Sequence, residues 1–125
     1  MRGGVLVEGG APRIRSTPTD FGGDRYHSKK EADYAAQLAL MMRARGKDRV
    51  LKWERQVKIP LAVARPGSPE DAPFTKICDY IIDFVVHYAD GRVEYVEVKG
   101  FKQEVWKLKW KLFEALYPDL TKVIV

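Results

Sequence analysis

The sequence predicts an α/β domain in which a central mixed β-sheet is flanked by helices. Three observations favour this fold class. Small apolar residues recur at helical spacing after Ser28, two segments between positions 78 and 99 are rich in β-branched and aromatic residues, and a second amphipathic segment precedes a short apolar stretch at 120–125. The predicted order of elements is helix, three strands, helix and strand (αβββαβ).

Residues 1–23 are predicted to form a flexible basic arm. They contain most of the glycines, and Arg2, Arg13 and Arg15 lie among them with little hydrophobic periodicity. Residues 24–125 are predicted to form a single domain, because a chain of 125 residues has room for one modest core. This domain is expected to open with a short strand at 24–27.

The first helix is predicted at residues 29–44, with Ser28 as a favourable N-cap and Gly46 just beyond the carboxyl end. Glu31 in its first turn has two interpretations. Ser28 and Glu31 match the Ser-x-x-Glu capping box, in which the glutamate satisfies a backbone N–H and does no chemistry. Alternatively, Glu31 contributes an outer carboxylate to a functional site.

Three strands are predicted next. Residues 50–62 form one strand or two, and the breaker-rich segment 65–73 forms a loop. Segments 78–88 and 92–99 are then joined by a hairpin turn at Asp90-Gly91. The last strand of the domain is expected at 120–125, after a second helix.

The length of the hairpin loop decides the register. A two-residue loop would set Asp83 opposite Val98, and Asp83 and Glu97 would then face opposite sides of the sheet. A three-residue loop, 89–91 with Gly91 in the left-handed conformation, pairs Asp83 with Glu97. This register also collects the apolar residues of both strands on the other face, where a helix could cover them: Ile82, Phe84, Val86, Val96 and Val98.

In this register Asp83, Glu97 and Lys99 share one face, an arrangement typical of a metal-dependent phosphodiesterase site. The alternative is a cross-strand ion pair between Asp83 and Lys99, with Glu97 merely solvated. Against that alternative, Asp83 interrupts the apolar run 81–86, which is typical of a strand buried on both faces. Carboxylates are rarely buried without a partner or a metal.

The second helix is predicted at about 102–116 and carries two apolar stripes. We expect the stripe of Val105, Leu108, Leu112 and Ala115 to pack on the sheet. The aromatic stripe of Trp106, Trp110, Phe113 and Tyr117 would complete the core, cover a partner in a homodimer or contact nucleic acid. Lys107 and Lys111 form a basic edge that is either solvated or in contact with phosphate.

Composition favours a polyanionic partner, with nucleic acid as the leading candidate, because the formal net charge is +5. No apolar run reaches the length of a membrane span, and the first residues lack a signal-peptide pattern, so we expect a soluble, intracellular protein. Cys78, the single cysteine, is expected to be a small core residue.

Several motifs together resemble the PD-(D/E)XK nuclease superfamily, in particular small phage-encoded members related to archaeal-type Holliday junction resolvases. The resemblance covers about residues 24–125, and its most specific pieces are Ser28-Lys29-Lys30-Glu31-Ala32, Ile82-Asp83-Phe84 and Glu97-Val98-Lys99-Gly100-Phe101, followed by Lys107-Leu108-Lys109 and Lys111-Leu112-Phe113. The Pro-Asp dipeptide of the superfamily is absent, since Ile82 precedes Asp83.

The resemblance implies a restriction-endonuclease-like core and a role for each matched residue. Asp83 and Glu97 would ligate Mg²⁺ or Mn²⁺, with the Val98 carbonyl as a further ligand. Lys99 would position the attacking water, and Glu31 would act through water or a second metal. Backbone phosphate would be held near the first helix and along the second by Ser28, Lys29, Lys30, Lys107 and Lys111.

The implied function is a Holliday junction resolvase, which as a homodimer would nick two symmetric strands of a four-way DNA junction. Another endonuclease of the same fold, of the nicking, recombination or homing type, is an alternative. A third possibility is a basic nucleic-acid-binding module in which the carboxylates are structural.

Overall fold

The computed structural model describes residues 19–21, 24–98, 100 and 103–125. The elements in this part of the chain are β1 (Thr19–Phe21), β2 (Asp24–Tyr26), α1 (Lys29–Met41), β3 (Val50–Val63), β4 (Thr75–Tyr88), β5 (Val93–Glu97), α2 (Glu104–Leu116) and β6 (Thr121–Ile124). The predicted α/β class and the αβββαβ order, counted from α1, are confirmed. Strand β1 lies within the predicted arm and pairs with β2, so ordered structure begins earlier than expected. The rest of that arm, 1–18 and 22–23, lies outside the described residues.

Helix α1 begins as its sequence predicts. Ser28 is extended, and its Oγ accepts a hydrogen bond from the Glu31 N–H at 3.1 Å, as expected of an N-cap. The helix ends at Met41 rather than at position 44. Beyond it, the N–H groups of Arg43 and Ala44 bond to carbonyls three residues back, so the chain tightens into a turn before Gly46.

The main sheet has four strands in the order β3-β4-β5-β6. Strands β3, β4 and β5 are antiparallel neighbours, and β6 runs parallel to β5, which makes the sheet mixed. Residues 50–63 form one continuous strand, β3, although it carries irregularities near both ends. The sheet is flanked by α1 and α2.

The predicted hairpin register between β4 and β5 is confirmed. Phe84 pairs with Val96, and at the turn the Tyr88 N–H donates to the Arg92 carbonyl at 2.9 Å. Gly91 has a φ of +93°, the left-handed conformation that the three-residue loop requires. The paired residues end at Phe84 and Val96. Continued by one residue, this register would set Asp83 opposite Glu97.

The apolar core consists of two clusters, one beneath each helix. Residues of α1 pack on Phe84, Val86, Val96 and Val98, as predicted, and residues of α2 pack on β3 and β4. Ile82 was predicted to lie on the same face of the sheet as Phe84, but it belongs to the cluster beneath α2. The β3–β4 ladder omits the pair Gln56–Asp83, and Gln56 has a φ of +52°, so the alternation of faces is broken between Ile82 and Phe84.

In the packing of α2, completion of the core, one of the three alternatives for the aromatic stripe, is confirmed. The aromatic stripe faces the sheet, where Phe113 is fully buried and Trp110 is 9% exposed. Val105 and Leu108, expected against the sheet, are 59% and 62% exposed. Aromatic side chains bury more apolar area than aliphatic ones and also gain from ring contacts, such as the 5.6 Å stacking of Trp106 on Trp110.

Neither α1 nor α2 is long and apolar enough to cross a membrane, and the described residues include no other α-helix.

Candidate active site

Asp83 lies in the middle of β4, where the ladder to β3 is interrupted. Its Oδ2 accepts a hydrogen bond from the backbone N–H of Val98 at 2.8 Å, across the strand pair. On the other side, Gln56 Nε2 approaches Asp83 Oδ1 at 3.5 Å, the outer limit of a hydrogen bond. Asp83 is therefore tied to the chain immediately after Glu97, at the end of β5.

Glu97 is the last residue of β5, and it is buried, with 5% of its surface exposed. Its Oε1 accepts a hydrogen bond of 2.5 Å from the Tyr80 hydroxyl. The Tyr80 oxygen in turn accepts from the indole Nε1 of Trp106 at 3.2 Å. Burial of a carboxylate is unfavourable unless polar partners replace its water, and the tyrosine hydroxyl is one such partner.

The electrostatic environment of Tyr80 reflects both carboxylates. Burial raises the pKa of its hydroxyl far above the usual range, and the negative charge of Glu97 raises it further, with a smaller contribution from Asp83. The hydroxyl therefore stays protonated at any physiological pH and remains a hydrogen-bond donor. Both carboxylates thus contribute to the electrostatic environment of this phenol.

Glu31 lies in the first turn of α1 and is only 9% exposed. Ser28 caps its N–H, so the serine half of the capping box is present. The next residue, Ala32, belongs to the same core cluster as Phe84, Val96 and Val98. This placement is compatible with both interpretations of Glu31, as a capping residue and as a carboxylate of the site.

The lysines predicted to act at the site or to contact phosphate differ in their surroundings. Lys99 lies outside the described residues. The exposed Lys29 pairs with Asp33 at 2.9 Å, and Lys107 pairs with Glu104 at 2.8 Å. Lys30 and Lys111 are exposed. Surface pairs of this kind contribute little to stability, so these ammonium groups can exchange partners, and their contact with DNA stays a prediction.

The donor set can be tested for its fit to a divalent cation. Among the described residues, no group of three or more His, Cys, Asp or Glu side chains is close enough to hold a metal ion. Asp83 and Glu97 supply carboxylates, and Val98, the residue after Glu97, donates its N–H to Asp83. This set suits Mg²⁺, which binds oxygen ligands, often through one or two carboxylates, and keeps several waters.

Three residues at the site were missed by sequence reasoning. Tyr80 was given no role in the sequence analysis, and Trp106 was placed only in the aromatic stripe of the second helix, with no role at the site. Their spacing of 26 residues carries no local signal of a hydrogen bond. Gln56 contacts Asp83 through the β3–β4 register, which the eleven-residue connection 64–74 leaves undetermined in the sequence.

Comparisons of the whole chain with curated proteins and with solved structures gave no significant match. A family described as "Protein of unknown function (DUF1064)" matches residues 15–125. The matched range contains both candidate carboxylates of the sheet, Asp83 and Glu97, as well as Glu31 and Tyr80. It also spans every element from β1 to β6, and the chain therefore belongs to the DUF1064 family.

Proposed function

We propose that this protein is a metal-dependent endodeoxyribonuclease with a PD-(D/E)XK site on a restriction-endonuclease-like core. The observation that supports the proposal is the 2.8 Å hydrogen bond from the Val98 N–H to Asp83 Oδ2, which ties Asp83 to the residue that follows the buried Glu97. Two carboxylates that lie close together repel each other, and burial of their charge is unfavourable. A bound cation would offset both effects.

Each residue has a defined task in this proposal. Asp83, Glu97 and the Val98 carbonyl would hold Mg²⁺ or Mn²⁺. A bound ion of this kind polarises a phosphoryl oxygen and makes hydroxide accessible near neutral pH. Lys99, which follows Val98 in the chain, would orient the attacking water and neutralise phosphate charge. Glu31, buried at the start of α1, would act on that water or on a second ion.

The proposed substrate is DNA, and the specific proposal is a four-way junction nicked symmetrically by a homodimer. The net charge of +5 and the exposed lysines of α1 and α2 support a polyanionic substrate. The junction and the dimer rest on the resemblance to Holliday junction resolvases. The same site would equally serve a nicking, recombination or homing endonuclease, because it recognises a phosphodiester rather than a shape.

The test is cleavage of a labelled synthetic four-way junction and of a linear duplex with the same arm sequence, each in Mg²⁺ and in EDTA. We expect paired nicks in the junction, in Mg²⁺ only. Equal cleavage of the linear duplex would favour another endonuclease type. Binding to both substrates without cleavage in Mg²⁺ or Mn²⁺ would reject the enzymatic proposal in favour of a non-catalytic binding module.

A further inference from the structure

We infer that Tyr80 is a positioning residue, which holds the Glu97 carboxylate in the orientation that metal binding requires, and that Trp106 of α2 holds Tyr80 in turn. The inference rests on the proposed function, since it assigns Glu97 as a ligand. It adds a hydrogen-bonded chain from helix α2 through β4 to the last residue of β5, with distances of 3.2 Å and 2.5 Å between successive polar atoms.

The direction of each hydrogen bond follows from the chemistry of the groups. An indole N–H can only donate, so Tyr80 accepts from Trp106. A phenol has one proton, and that proton is directed to Glu97 Oε1. The Tyr80 hydroxyl therefore accepts one hydrogen bond from Trp106 and donates one to Glu97. These two bonds fix its orientation, and through it the position of one carboxylate oxygen.

The aromatic core makes this hydroxyl rigid. The Tyr80 ring is 3% exposed and contacts Phe113 at a centroid distance of 5.3 Å and Trp110 at 6.1 Å. Trp106 stacks on Trp110. Ring packing thus restricts the position of Tyr80, so the oxygen bound to Glu97 has little freedom to move.

A hydrogen bond at Oε1 is compatible with metal coordination. An ionised carboxylate has about four acceptor positions on its two oxygens, so one bond to Tyr80 leaves capacity for a ligand bond. Groups that orient a ligating side chain in this way are required for tight binding, and their loss lowers metal affinity about 10–100-fold.

The experiment is calorimetric titration of the full chain with Mn²⁺, comparing Tyr80→Phe with the wild type. The substitution removes the hydroxyl but keeps the ring in the core. Tyr117→Phe is the matched control, because it deletes a tyrosine hydroxyl from the same cluster whose bond, 2.7 Å to the Pro60 carbonyl, does not involve the site. We expect Mn²⁺ affinity to fall about 10–100-fold in Tyr80→Phe and to stay at the wild-type value in Tyr117→Phe. If DNA cleavage is measured as well, excess Mn²⁺ should restore it in Tyr80→Phe.

The outcomes separate this inference from the proposed function. If the wild type binds Mn²⁺ and Tyr80→Phe binds it equally or more tightly, the positioning role is overturned while the metal site stands. If the wild type does not bind Mn²⁺, both the proposed function and the inference fail. Should Tyr80→Phe not fold, Trp106→Phe replaces it: lowered affinity supports the chain of bonds, and unchanged affinity overturns it.

Discussion

At the scale of single residues, the site consists of acidic groups in places where the fold would otherwise favour apolar ones. Asp83 interrupts an apolar strand, and Glu97 is buried beside Val96. Each acquires a neutral donor, the Val98 N–H for Asp83 and the Tyr80 hydroxyl for Glu97. Such donors lessen the unfavourable burial of charge but do not cancel it, which is typical of functional rather than stabilising residues.

Glu31 is the residue whose two interpretations are easiest to separate by experiment. Glutamine keeps the size and the acceptor oxygen of glutamate, so Glu31→Gln preserves most of what a cap needs. We expect a large loss of DNA cleavage, at a melting temperature close to that of the wild type, because the charge is lost and the cap is kept. Turnover and thermal unfolding of the same preparation measure both effects.

Ser28→Ala provides the contrasting control for Glu31→Gln. It removes the Oγ that accepts the Glu31 N–H and should lower the free energy of unfolding by about 1 kcal/mol. Wild-type turnover in Glu31→Gln would remove Glu31 from the site and leave it as a capping residue.

At the scale of elements, the β4–β5 hairpin positions the two carboxylates. The three-residue loop fixes the register, and a shift of one residue would turn Glu97 to the other face of the sheet. Asp90 and Arg92 reinforce the turn, with Arg92 Nε 2.8 Å from Asp90 Oδ2. The placement of the site thus depends on a few residues at the turn.

Gly91→Ala tests this dependence. An alanine at a φ of +93° is strained, although its Cβ would meet no atom within 4 Å. We expect the free energy of unfolding to fall by about 1 kcal/mol or more. Gly100→Ala is the matched control, since its Cβ also meets no atom within 4 Å and Gly100 has no positive φ. Equal stability of the two variants in urea denaturation would show that the left-handed turn is not required.

The hairpin also shows how far elements can be predicted from sequence. Its register followed from loop counting, because a local turn and the apolar pattern specify the same pairing. The partner strand β3 was located, but the irregular Gln56 was not, because the left-handed conformation of a non-glycine residue leaves no sequence signal. The end of α1 was placed three residues too late, because the chain continues beyond Met41 as a tighter turn that has no separate sequence signal.

At the scale of the whole molecule, the aromatic face of α2 contributes side chains both to the core and to the candidate site. Trp110 and Phe113 cover the sheet, and Trp106 reaches the Tyr80–Glu97 bond. The sequence showed two apolar stripes but not which one faces inward, because helical periodicity is equal for both. A dimer interface on the aromatic stripe required that stripe to be exposed, but it packs in the core. The proposed homodimer is therefore supported only by the resemblance to Holliday junction resolvases.

A pair of charge substitutions on α2 tests this assignment of faces. Trp110→Glu buries a charge in place of a core ring and should lower the free energy of unfolding by at least about 3–5 kcal/mol. Leu108→Glu, on the exposed face of the same helix, should change it by no more than about 0.5 kcal/mol. Chemical denaturation followed by tryptophan fluorescence compares the two. A larger effect in Leu108→Glu would indicate that this face is covered by a partner.

The central claim is that Asp83 and Glu97 form a metal-dependent phosphodiesterase site, and the most direct measurement is the DNA cleavage rate in Mg²⁺ or Mn²⁺ for Asp83→Asn and Glu97→Gln. Asp79→Asn is the matched control, because Asp79 lies on the same strand and pairs with Lys76 instead. The site predicts that both variants lose cleavage yet bind DNA as well as the wild type or better, since a negative charge near the phosphates is removed. It also predicts that Asp79→Asn cleaves normally. Cleavage at the wild-type rate by Asp83→Asn or Glu97→Gln would contradict the account.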